Sequence, residues 1–123
     1  MTRKLALDRN AAHGAGGDCF SAAMRCLAAL GEAGHAAGHQ LVHGFVTRNA
    51  VDGATVHAWV ERESDDRVID TSNGHVIEIP RAKYYEDYGV QGVVRYSLAE
   101  ADWKHSMSRH DGPWEPAFEN NGR

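Results

Sequence analysis

Three residues of this chain carry side chains that could do covalent chemistry together: Cys19 in "GGDCFSAAMRCLAALG", His57 in "TVHAWVER" and Asp70 in "RVIDTSNG". A thiolate attacks carbonyl carbon well, but a free thiol with a pKa of about 8.5 is mostly protonated at neutral pH. A neighbouring imidazole can take that proton. A carboxylate on the second ring nitrogen can then fix the tautomer and steady the imidazolium. Cys, His and Asp together would support acyl transfer through a thioester. Each residue also has a plainer explanation. Cys19 could be a small buried hydrophobe, and His57 with Asp70 an ordinary cross-strand pair holding a hairpin.

The elements around them decide whether they can meet. A helix is expected from about Cys19 to Leu30, with Asp18 as N-cap and Gly31 as stop. Cys19 then lies in the first turn. The unpaired N–H groups and the positive dipole end there favour a thiolate and offer donors to an oxyanion. Cys26 falls about two turns on, on the face of Ala22, Ala23 and Leu30, and is expected in the core. In "TVHAWVER" the side chains alternate, so Thr55, His57, Trp59 and Glu61 share one face, while Val56, Ala58 and Val60 form the deeper, all-aliphatic one. In "RVID", Val68 and Asp70 share a face. An even-length turn at "ESDD" sets His57 and Asp70 on the same face as neighbours, and an odd one would separate them.

The rest of the chain supplies a frame. Strands are expected at "QLVHGFVTR", "TVHAWVER", "RVIDT", "HVIEI" and "GVVRYS", separated by Asp-Gly, "ESDD" and "SNG" turns. "PRAKYYEDYG" reads as a short helix. "SLAEADWKHSMSRH" reads as a longer one with a capping box between Ser97 and Glu100. The order is helix first and antiparallel meander after, an α+β arrangement. Residues 1–110 are expected to form one domain, with 111–123 a flexible tail.

With 123 residues and 13.5 kDa, the chain has room for one modest core. A net charge of −4 with scattered basic residues argues against nucleic acid as partner. Cys19 and Cys26 would stand about 10 Å apart along one helix, too far for a disulfide, so both are expected to be free thiols in a reducing compartment. No apolar run reaches the length of a signal peptide or a membrane span, and a cytoplasmic, non-membrane location is expected.

Helix-borne Cys19, then "HAWVE", then Asp70 in "VIDTSNG" resembles the transglutaminase-like branch of the papain-like cysteine enzymes. It is especially similar to bacterial transglutaminase-like domains such as the leader peptidases of lasso-peptide biosynthesis. The likeness covers about Gly17 to Gly74. It implies a minimal papain-like fold, a nucleophile helix packed on an antiparallel sheet. It also implies Cys19 as nucleophile, His57 as general base and Asp70 as the orienting acid. No cofactor and no metal is implied, and the partner is a peptide or protein substrate. Asn10 and His13 are the upstream side chains of a type suited to an oxyanion donor, and Asn10 and Trp59 are the expected lining of a substrate cleft.

Two other readings stay open: an inactive peptide-binding module on the same fold, and a metal site at His35, His39 and His43. The i, i+4, i+8 spacing of those histidines would share a helix face, but "LVHGFVT" reads as strand and breaks it. Tyr84, Tyr85 and Tyr88 are expected to be half-buried packing or a cleft wall. Trp103 is expected in the core.

Overall fold

The computed structural model describes residues 19–47, 53–72 and 74–119. Their order is α1 (Cys19–Glu32), β1 (His39–Val46), β2 (Thr55–Arg62), β3 (Arg67–Asp70), β4 (Ile77–Pro80), α2 (Arg81–Tyr88), β5 (Gln91–Tyr96), α3 (Leu98–Ser108) and α4 (Pro116–Glu119). The strands form one five-stranded antiparallel sheet in the order β4-β3-β2-β1-β5. The molecule is thus α+β, with its long helix ahead of the sheet. Asp18 and Asn10 lie outside the described residues.

Alternation along β2 serves two cores. Ala58 and Val60 join Leu41, Ile69 and the α1 residues Ala23, Cys26, Leu27 and Leu30 on one side. On the other side Trp59 joins Val42, Val46, Val68 and Tyr84 of α2. The aliphatic face is therefore not the deeper one, because helices cover both.

Helix α1 carries Cys19, Ala22, Ala23, Cys26, Leu27 and Leu30 on one buried stripe at the i, i+3, i+4 spacing of an amphipathic helix. Gly31 does not stop it. Gly31 lies inside the last turn, where a Cβ would come within 2.6 Å of Leu98 Cδ2, so its bareness lets α3 approach. The stop is Gly34, at φ 81°. Gly34 N donates to Gly31 O, and His35 N to Leu30 O, the paired bonds of a Schellman end. The capping box of α3 forms as expected, with Ser97 Oγ accepting from Glu100 N at 3.1 Å and Ser97 N donating to Glu100 Oε1 at 2.8 Å.

Two expectations fail on the far side of the sheet. Trp103 is 61% exposed, because α3 turns Ala101 inward rather than Trp103. The segment expected to be a loose tail is packed onto the domain between Asp111 and Phe118. Phe118 is buried, Trp114 packs against the α1 core, and Asp111 Oδ2 accepts from Ser21 Oγ of α1 at 2.7 Å. Its aromatics fill space that the sheet leaves beyond α1, which composition alone does not disclose. Phe118→Ala should therefore lower the denaturant midpoint by about 3 kcal/mol of stability at unchanged slope. Unchanged stability would return the segment to a tail.

Candidate active site

The site begins with strand register. Glu61 pairs with Val68 and Val60 with Ile69 across β2 and β3. Continued by one pair, this sets Asp70 opposite Trp59, so His57 is the diagonal neighbour of Asp70 on the same face. The turn is even, as face-sharing required, but the contact is diagonal rather than direct. Diagonal neighbours are within reach of an extended ring and a carboxylate. His57 Nε2 lies 3.0 Å from Asp70 Oδ2.

Cys19 meets the same ring. The Cys19 side chain, with Asp70, acts to raise the His57 pKa. Helix α1, which starts at Cys19, packs across β1 and β2. Cys19 and Cys26 are both free thiols. The structure thus joins two of the three expected residues, His57 and Asp70, by a hydrogen bond, and Cys19 bears on the ionisation of His57.

The electrostatics follow from this chain of contacts. Burial alone would lower the His57 pKa. The hydrogen bonds to Asp70 and Cys19, and the charges of both, outweigh it and push the ring up to about 9. Burial alone would raise the Asp70 carboxyl. Its bonds to His57, Tyr84 and Ser72, with the imidazolium's charge, hold it well below the usual carboxylate range. Asp70 Oδ1 accepts from the backbone N–H of Ser72 at 2.8 Å and Oδ2 from Tyr84 Oη at 2.6 Å. The charge distribution therefore favours imidazolium beside carboxylate.

Trp59 does not line a cleft. It has no exposed surface, because α2 covers it. Its ring lies 5.9 Å from that of His57 and 5.2 Å from that of Tyr84, so it walls the histidine from inside. Its Nε1 donates to Glu61 Oε2 at 3.0 Å. Glu61 is itself buried and also accepts from Tyr85 Oη at 2.5 Å and Arg95 Nε at 3.2 Å. The "HAWVE" stretch thus divides its labour: His57 faces the thiol, while Trp59 and Glu61 tie strand to helix.

Sequence reasoning missed the role of Tyr84. It is fully buried, not a half-wet wall. The available signal was its i, i+4 relation to Tyr88, which sets both rings on one face of α2. Their rings meet at 4.6 Å.

His35, His39 and His43 do not converge. His39 Nδ1 donates locally to His35 O at 2.7 Å, and His43 is buried further along β1. Among the described residues, no group of three or more His, Cys, Asp or Glu side chains is placed to hold a metal ion. His43 sits among Phe20, Tyr96, Trp114 and Phe118, with no hydrogen-bond partner for either ring nitrogen among the described residues. Burial pushes its pKa down to about 3. A depressed pKa contributes stability that is present above the ordinary value of about 6.5 and lost as pH falls from there toward 3. The loss approaches about 1.4 kcal/mol per pH unit. His43→Leu should flatten the decline in melting temperature between pH 6.5 and 4. An equally steep decline in the variant would contradict this account of His43.

No helix among the described residues is long and apolar enough to cross a membrane. No family model, no curated protein and no solved structure matches this chain.

Proposed function

We propose that this protein is a cysteine-dependent acyl-transfer enzyme with a Cys19–His57–Asp70 triad, on a minimal papain-like fold of the transglutaminase-like type. One observation carries the reading: the largely buried His57 ring lies 3.0 Å from Asp70, and Asp70 and Cys19 together push its pKa up. A hairpin clamp needs the aspartate and the histidine, but gives no reason for a thiol that bears on the same ring.

The chemistry follows from the contacts. The Cys19 proton rests on His57, and the sulfur attacks the carbonyl carbon of an amide. Electrons move to the carbonyl oxygen, and the tetrahedral adduct collapses as the C–N bond breaks. His57 gives its proton to the departing amine, leaving a thioester on Cys19. Water then hydrolyses the thioester, with His57 taking a proton from the attacking water and returning it to the sulfur. An amine in place of water gives transfer instead. Asp70 holds the ring and stays ionised throughout. The substrate is a peptide or protein amide, and no cofactor enters the sequence.

A small activated ester tests this without knowledge of the natural substrate. p-Nitrophenyl acetate should acetylate Cys19, release nitrophenolate and turn over, and Cys19→Ala should abolish both adduct and turnover. Equal acetylation of Cys26, or no adduct at Cys19, would refute the proposal.

A further inference from the structure

Asp70 is held from three sides, and one of them comes from outside the hairpin. Ser72 N–H, in the turn after β3, occupies Oδ1 at 2.8 Å. Oδ2 takes both His57 Nε2 at 3.0 Å and Tyr84 Oη at 2.6 Å. A carboxylate bonded only through Oδ1 and a histidine can still swing about its Cβ–Cγ axis. A second donor on Oδ2, fixed to another element, sets the plane of the group. We propose that Tyr84 is a positioning residue for acyl transfer: its buried hydroxyl fixes Asp70 Oδ2 in the orientation that receives His57. The inference rests on reading Cys19, His57 and Asp70 as a triad, and gives α2 its part in that site.

The placement of Tyr84 suits this task. Its ring is fully buried between Trp59 at 5.2 Å and Tyr88 at 4.6 Å, which leaves it little freedom to rotate. The helix that carries it is pinned at both ends. At the start, Arg81 N donates to Asp66 O at 2.7 Å, and the Arg81 guanidinium bonds Asp66 Oδ1 at 2.9 Å. At the end, Thr47 N donates to Tyr88 O at 2.7 Å, and Gly89 closes the helix at φ 60°. The β2–β3 turn and the end of β1 thus fix α2 along the sheet. The hydroxyl position is set by the fold, not by the aspartate it meets. A phenylalanine would pack in the same space, so the hydroxyl is what the site gains.

Tyr84 acts through Asp70, and its effect should appear in the reactivity of Cys19. The test is the pH profile of Cys19 alkylation by iodoacetamide, read by peptide mapping so that Cys26 is counted separately. Wild type, Tyr84→Phe, Asp70→Asn, the double variant and Tyr85→Phe are compared. Tyr85→Phe removes a neighbouring hydroxyl of the same helix that bonds Glu61 instead. Tyr84→Phe should slow Cys19 alkylation near pH 6 by about threefold or more, Tyr85→Phe should leave the profile in place, and Tyr84→Phe should add nothing once Asp70 is Asn. A Tyr84→Phe profile superimposed on wild type overturns the inference, whatever the melting temperature does. So does an equal shift in Tyr85→Phe, or full additivity with Asp70→Asn. If wild-type Cys19 itself titrates as an ordinary thiol, the triad reading falls and takes this one with it. An activated wild type with an unmoved Tyr84→Phe removes only the role of Tyr84. Should Tyr84→Phe fail to fold, replacing tyrosine throughout with fluorotyrosine keeps the shape and strengthens the donor. The midpoint must then move, and an unmoved midpoint overturns the inference.

Discussion

His57→Ala is expected to slow alkylation of Cys19 near pH 6 by about tenfold or more, and to leave Cys26 unchanged. The size follows from two opposed effects. An ordinary thiol of pKa about 8.5 is roughly 0.3% thiolate at pH 6, so ionisation beside an imidazolium gains up to two or three orders of magnitude in reactive species. A thiolate of lower pKa is also a weaker nucleophile, with a Brønsted slope of about 0.4–0.5, which returns part of that gain. Turnover of any substrate should fall at least about a hundredfold, the lower range of a lost general base. Cys19→Ala should end turnover and cost little stability, since it removes one small side chain. Equal rates at Cys19 and Cys26 in wild type would leave the pair a structural contact only.

Asp70→Ala should destabilise the protein strongly, by about 3–5 kcal/mol, because it strips a buried ring of its charged partner. The side chains of His57 and Asp70 keep only 12% and 4% of their exposure, so solvent does little to screen the pair. Tyr84 Oη and Ser72 N–H lose the same acceptor. Asp70→Asn should fold better, yet lower activity, since an amide can offer its N–H to the ring and hold the wrong tautomer. The pH dependence carries a sign. The His57 pKa is raised in the folded state to about 9. Its contribution to stability is therefore fully present below about 6.5 and lost as pH rises through about 9. Urea midpoints of wild type should fall across that window, and those of Asp70→Ala should be flatter. A variant as steep as wild type would mean that the aspartate does not hold the ring charged.

Much of this was legible in the chain because local rules and the global fold agree there. The stripe of α1 and the alternation of β2 and β3 follow from periodicity alone. The even turn at "ESDD" was enough to set His57 and Asp70 on one face. Register was not: turn parity cannot tell a direct partner from a diagonal one, and here the diagonal carries the bond. Trp59 was misplaced because the face opposite an aliphatic row looks like a wet face until something covers it. Helix α2 does, and its apolar content is mostly tyrosine, which reads as amphipathic rather than buried. The packing of Trp114 and Phe118 was hidden for a similar reason. Pro, Gly and Asn around them read as loop, and an irregular segment can be ordered by its aromatics alone. Asn10, expected near the cleft, lies outside the described residues.

The central claim is that one ring joins a thiol to an ionised aspartate and is charged because of both. The ring nitrogens of His57, followed by NMR in 15N-histidine protein, test it directly. At pH 7 both should be protonated, with the ring losing its proton near pH 9, and Cys19→Ala should lower that midpoint, since the sulfur helps to hold the charge. A neutral, single-tautomer ring at pH 7 that is indifferent to Cys19→Ala would contradict the account.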